Sequence, residues 1–221
     1  MAIIASAKSG TVSTPAPAGA HVARCIRVIY LGLQFSDGQY GPKVAPKVMI
    51  TWELPNELHV FREERGPEPF TVSRDYTLSL SEKSNLRADL QSWRGRPFTP
   101  EELDAFDVSK LANATCTLNV IHEKAKNGNT YANVASIAPM MKGIVCPPAI
   151  QEVLIYEVAN KRDAVFAKLP EWIQNKIAAC EDWKAQAPRS DFENDEADFK
   201  AAMEATGKTT AEDEDATGIP F

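Results

Sequence analysis

The sequence predicts a mainly β protein: a five-stranded barrel with helices between strands, a C-terminal helical extension and a disordered acidic tail. Three observations carry that prediction. Apolar and polar residues alternate over several short stretches, the period of half-buried strands. Turn pairs such as Asp37-Gly38, Gly41-Pro42 and Asn127-Gly128 punctuate them, since glycine and asparagine accept positive φ. Beyond Pro188 the large apolar residues thin out and acids take over.

Residues 1–20 are small and polar from Ser6 onward and read as a flexible arm, unable to bury enough surface to offset their ordering entropy. The short apolar run Ala2 to Ala5, with Lys8 after it, is not a secretory signal. Residues 22–33 form a first β-rich run in which Gly32 marks a bend or bulge. Residues 34–46 read as a loop exposing Phe35, Tyr40 and Lys43. A second strand covers 47–54, with Val48, Ile50, Trp52 and Leu54 on one face, which puts Trp52 in the core.

The third strand region runs from 58 to 80, interrupted by the charged turn Arg62-Glu63-Glu64-Arg65-Gly66-Pro67. Ser81 then reads as an N-cap for a helix whose Leu86, Leu90 and Trp93 share a face, stopped by Arg94-Gly95-Arg96-Pro97. Thr99-Pro100-Glu101-Glu102 opens a shorter helix, with a capping hydroxyl, proline at the first position and acids in the first turn. Residues 115–123 alternate, with Cys116, Leu118 and Val120 inward, and 130–137 form the return strand of a hairpin whose tip carries Lys124 and Lys126. Five strands, with helix between the third and fourth, fit a small Greek-key barrel of the OB type over 21–146. Split-barrel and α+β sandwich architectures are the alternatives.

After Pro147-Pro148, residues 147–187 form an extension packed on the barrel: an extended piece at 153–156, then a helix from Leu169-Pro170 burying Ile173, Ile177 and Cys180. Residues 188–221 are the acidic tail, with a nascent helix near 195–205. From Asp191 onward ten acids face two lysines, a balance of −8; the −6 of the whole chain then leaves +2 for residues 1–190. A slightly basic body joined to an acidic tail suits an anionic ligand for the body and a separate partner for the tail.

Chemistry-bearing motifs are sparse. Cys25, Cys116, Cys146 and Cys180 are scattered, and His21, His59 and His122 lack ligand spacing, so neither metal nor cofactor is expected. No glycine-rich phosphate loop or catalytic cluster stands out, and Asp75, Asp104 and Asp107 read as solvated charges, so the chain is not expected to be an enzyme. Nor is a membrane partner expected, since every apolar run breaks within a few residues; a reducing host cytoplasm is the expected location.

A nucleic-acid finger is the functional reading of the 115–139 hairpin. Single-strand binding needs cations along a groove and aromatic faces for unstacked bases. The cations are Lys43, Lys47, Arg62, Arg65, Arg74, Arg94, Arg96, Lys124 and Lys126, with Lys83 and Arg87 in reserve. The aromatics are Tyr40, Tyr76 and Tyr131, with Phe35 and Phe70 in reserve; Arg74 and Tyr76 share the parity of Val72 and Leu78 and fit the core edge equally well, and Trp93 fits the helix stripe and belongs to the core. In such barrels the groove crosses the second and third strands between the first and last hairpin loops. Neutralising about five phosphates gives a log–log salt slope near −3.5.

Several blocks together resemble the phage-encoded OB-fold single-stranded-DNA-binding proteins: Arg74-Asp75-Tyr76-Thr77-Leu78-Ser79-Leu80, Ser84-Asn85-Leu86-Arg87, Trp93-Arg94-Gly95-Arg96-Pro97-Phe98-Thr99 and Gly128-Asn129-Thr130-Tyr131-Ala132-Asn133-Val134-Ala135-Ser136-Ile137-Ala138-Pro139. Leu169-Pro170-Glu171-Trp172-Ile173-Gln174-Asn175-Lys176-Ile177 is similar to the helical extension found there. The resemblance covers roughly 21–187 and implies coating of single-stranded DNA in phage replication and recombination, without catalysis. The end of the chain, with Asp213, Glu214, Asp215, Ile219, Pro220 and Phe221, resembles the acidic tip of bacterial single-stranded-DNA-binding proteins, although here Ala216-Thr217-Gly218 separates the acids from Ile219. That likeness implies phage or host replication proteins as partners, through a pocket for the terminal phenyl ring. A strand-annealing recombination protein and a tail-based interaction adaptor are the competing readings.

The tail, with roughly 30 Å of r.m.s. reach, is expected to compete with DNA for the body. Deleting residues 191–221 should raise single-strand affinity at low salt, measured by titration with a labelled oligonucleotide, and admit duplex DNA as a ligand. Identical binding by both forms would remove the competition.

Overall fold

The computed structural model describes residues 14–38, 41–125, 128–157 and 164–185. The chain is mainly β. Strands β1 (Gly19–Gly38), β2 (Gly41–Arg62) and β3 (Gly66–Thr77) are followed by helices α1 (Asn85–Arg94) and α2 (Pro100–Asp104). Then come β4 (Thr115–Lys124), β5 (Thr130–Ala138), β6 (Leu154–Tyr156), α3 (Ala164–Lys168), α4 (Glu171–Ala178) and α5 (Glu181–Ala185). The sheet order is β3-β2-β1-β4-β5, antiparallel throughout, with β6 parallel to β1.

β1 organises the sheet because it changes partners along its length. Gly19 to Arg24 pair with β4, and Arg24 to Gly38 pair with β2 on the opposite edge. Where β4 leaves, β6 takes the vacated edge at Arg27 to Ile29. Register shifts at Cys25/Arg27 and Tyr30/Gly32 bend the strand, as bulges do. The sheet curls into a half-barrel that brings β3 towards β5, where Arg74 Nη1 donates to the Val134 carbonyl at 3.3 Å.

Two cores result, one on each face of β1 and β2. The first packs Trp52, Val72, Tyr76 and Leu118 against Leu86, Leu90 and Trp93 of α1, with the Trp52 and Trp93 rings 5.8 Å apart. The second packs Ile29, Leu31 and Met49 against Leu154, Tyr156, Leu169, Ile173, Ile177 and Cys180. Trp52 is core, as its parity predicts. The opposite parity of β2 is also covered: Met49, Thr51 and Glu53 are all buried, because the extension lies over that face.

Glu53 fixes that cover. Its two carboxylate oxygens accept the backbone N–H groups of Ile150 and Gln151, both at 2.8 Å. Arg27 beside it donates to Gln151 Oε1 at 2.7 Å, and Arg24 donates to the carbonyls of Asn113, Cys146 and Pro147. Gly32 is the expected bulge, for two physical reasons. Its φ is +77°, and a Cβ there would lie 2.4 Å from Cys180 Sγ.

Three expectations are corrected. Residues 34–46 do not form a loop: β1 and β2 continue as a hairpin, pairing Phe35 with Val44 and Ser36 with Lys43, because the glycine signals mark only its tip. Residues 58–62 belong to β2 rather than β3, so the charged turn joins the two, with a 3₁₀ turn at Glu63–Arg65. The N-cap of α1 is Ser84, not Ser81, and its hydroxyl donates to the Ser79 carbonyl instead of capping. The helix stops at Gly95 as expected, with that glycine left-handed, and α2 carries the full Thr99/Glu102 capping box. The arm expected at 1–20 is described only from Thr14.

Glu53→Ala would leave two backbone donors unpaired beside Arg27, at a cost of about 2–4 kcal/mol. The urea midpoint of the variant is expected to fall accordingly, with the slope of the transition unchanged.

Candidate nucleic-acid interface

The β2–β3 hairpin reaches well past the buried part of β2. Its outer end carries the exposed Leu58, Val60 and Phe61. His59 stacks on Phe70 with ring centroids 5.5 Å apart, and Phe61 meets Phe70 edge-on at 5.1 Å. Phe61 is thereby held at the surface with 41% of its area exposed. Arg62 follows at the end of the strand, and Arg65 pairs with Glu68 at 3.6 Å across the turn.

The β4–β5 turn stands opposite. Ala125 N donates to Asn129 O and Gly128 N to Ala125 O, both at 2.9 Å, with Gly128 at φ +81°. Tyr131, 48% exposed, follows on β5 directly across from Glu123, and Lys124 lies across from Thr130. The entering chain closes one side: His122 Nε2 donates to the Ala16 carbonyl at 2.8 Å and His21 Nε2 to that of Pro17 at 2.9 Å.

Between these parts lies a cleft of about 1280 Å³. Phe61, Arg62 and Glu68 to Thr71 line it from one hairpin, Gly128 to Ala132 from the other, and Thr14 to Ala16 from the entering chain. Gln151 and Trp172 of the extension complete it. Its polar lining residues include Thr14, Arg62, Glu68, Thr71, Asn129, Thr130 and Gln151. A flat solute with π-faces and a phosphate suits that mixture of aromatic edges, hydroxyls and one guanidinium.

Of the residues proposed from sequence, Arg62 and Tyr131 meet in this cleft, with Arg65 and Lys124 on the adjoining turns. Others do not come to it. Lys43 is exposed on the β1–β2 hairpin, and Lys47 Nζ donates to Thr77 Oγ1 at 2.9 Å. Tyr76 is a correction: with 3% exposure it offers no face to a base, and its hydroxyl donates to Asp89 at 2.8 Å. Burial and that neighbouring carboxylate push its phenol far above the ordinary range. Arg74 pairs with Asp89 at 3.0 Å, tying β3 to α1. Arg94 bonds Glu102 and lies over the Phe98 ring at 4.5 Å, and Arg96 pairs with Glu102 at 2.8 Å. Tyr40, Lys126 and the tip residues Asp213, Glu214, Asp215, Ile219, Pro220 and Phe221 lie outside the described residues.

The cleft sits between the second and last hairpins, not between the first and last. Extension of β2 to Arg62 carries the second turn to the 128–132 tip. Phe61 and Trp172 were missed from sequence. Phe61 hides in an apolar run, but its neighbour Arg62 is a signal. Trp172 falls beside the Ile173/Ile177 stripe, and a large aromatic off the buried stripe of a helix is a readable anomaly.

Burial raises the Cys25 thiol to about 12 and pushes Cys116 and Cys146 up as well. Among the described residues no group of three or more His, Cys, Asp or Glu is placed to hold a metal ion, and no helix is long and apolar enough to cross a membrane. No protein-family model and no curated protein matches the chain.

Glu102 is held well below its ordinary 4.5, at about 2, by hydrogen bonds from Arg96, Arg94 and the Thr99 backbone. A depressed carboxylate stabilises the fold above its unfolded pKa, and that contribution is lost as pH falls from about 4.5 towards 2. Glu102→Gln should therefore melt below the parent at pH 6 and converge on it as pH falls to 2, read by thermal unfolding at both.

Proposed function

We propose that this chain is a sequence-tolerant single-stranded-DNA-binding protein on an OB-type barrel, coating DNA in phage replication and recombination in the host cytoplasm. One observation carries the reading: the part-exposed Phe61 and Tyr131 line one cleft from two hairpins together with Arg62, and Arg65 and Lys124 lie on the adjoining turns. The strand order, with α1 and α2 between β3 and β4, supports the barrel assignment, as OB barrels share that sequence of elements. The blocks that resemble phage single-strand binders include Tyr131 and the turn before it.

The mechanism follows from the chemistry of the cleft. Unpaired bases leave their π-faces open and stack on the rings, each contributing roughly 1–3 kcal/mol. Duplex DNA keeps those faces covered and gains only the phosphate contacts. With three described cations beside the cleft, about three phosphates are neutralised, for a slope near −2, shallower than the −3.5 expected for five. The acidic tip, through Ile219, Pro220 and Phe221, serves to recruit replication proteins while the body holds DNA.

Titration of labelled oligo-dT against duplex, at two salt concentrations, tests this. Tyr131→Ala should weaken single-strand binding by about 5- to 150-fold. Arg62→Ala with Lys124→Ala should flatten the salt slope by about 1.4. An oligonucleotide that stays unbound at micromolar protein, or an unchanged slope in the double variant, would remove the cleft as a DNA site.

A further inference from the structure

We infer that the extension contributes a binding residue to this cleft: Trp172 is a third stacking wall for an unpaired nucleobase. The inference rests on the single-strand reading above and adds an element outside the barrel to it.

The exposure of Trp172 is the first argument. The chain has four tryptophans. Trp52, Trp93 and Trp183 are buried, whereas Trp172 is 55% exposed. An exposed indole gives up a large hydrophobic gain, and α4 does not need it for anchorage. Ile173 and Ile177 already fill the second core from the adjoining face of the helix.

Placement is the second. Trp172 lines the same cleft as Phe61, Arg62 and Tyr131. Its helix is fixed to the sheet at two points: Lys176 Nζ pairs with Asp75, and the Lys176 carbonyl accepts from Gln34 Nε2 at 2.9 Å. Gln151, the other extension residue in the cleft, is held by Glu53 through its backbone. A ring on so constrained a helix is pre-ordered, so stacking costs it little side-chain entropy. Phosphate attraction at Arg62, together with aromatic faces on three elements, fits a nucleotide better than an apolar peptide.

The experiment uses the full chain with two readouts: anisotropy of labelled oligo-dT and the protein's own tryptophan emission with acrylamide quenching. Oligo-dT is expected to quench the emission and shield it from acrylamide, since the other three indoles are buried. Trp172→Ala should weaken binding about 5- to 150-fold with an unchanged urea midpoint. Trp172→Phe, which keeps an aromatic face, should recover most of that loss while abolishing the emission change. If the parent binds oligo-dT by anisotropy but its emission and acrylamide access do not move, and Trp172→Ala binds as the parent does, the inference is wrong while the single-strand reading stands. If the parent does not bind at all, both fall.

Discussion

A carboxylate shut away from water holds the two halves of the described body together. Glu53 is fully buried in the middle of β2, and its charge is tolerable only because two backbone N–H groups and the nearby Arg27 meet it. Those N–H groups belong to Ile150 and Gln151, just before β6. The pin therefore sets where the chain re-enters the sheet, and so where α4 lies. Arg24 reinforces it by holding Cys146 and Pro147. Gly32 is the matching concession on β1, leaving room for Cys180.

A second polar knot closes the curl of the sheet. Asp89 on α1 takes Arg74 and the Tyr76 hydroxyl, while Arg74 reaches Val134 on β5. One carboxylate thus joins β3 to the helix, and one guanidinium joins β3 to β5. Glu102 does similar work for Arg94 and Arg96. Cations spent on internal carboxylates are poor candidates for phosphates, since freeing them would leave the carboxylates unpaired. That leaves a cleft with few unpaired charges and several rings.

The two hairpins owe their meeting to strand length. β2 pairs with β3 out to Arg62, past register shifts at Leu54/Leu58 and His59/Arg62. Those irregularities twist the hairpin end as bulges do. Phe61 needs Phe70 and His59 to hold its angle, so the cleft's rim is itself a small aromatic cluster.

The sequence by itself determined the local pieces: the β4–β5 hairpin with Gly128 in its turn, the Leu86/Leu90/Trp93 stripe, the Thr99 capping box, the inward Trp52 and the bulge at Gly32. Each is written in residues a few positions apart, where periodicity, φ preference and capping act directly. Tertiary structure decided which faces were covered and which charges were spent. Met49 and Glu53 sit on a parity that reads as the second face of a half-buried strand, and only the returning extension buries them. Arg74, Tyr76, Arg94 and Arg96 look like a binding set until Asp89 and Glu102 claim them. Phe61, Tyr131 and Trp172 are far apart along the chain and share a cleft only after β1 has exchanged β4 for β6 and the sheet has curled. Local pattern carries no information about such meetings, because long-range pairing and desolvation, not neighbouring residues, set them.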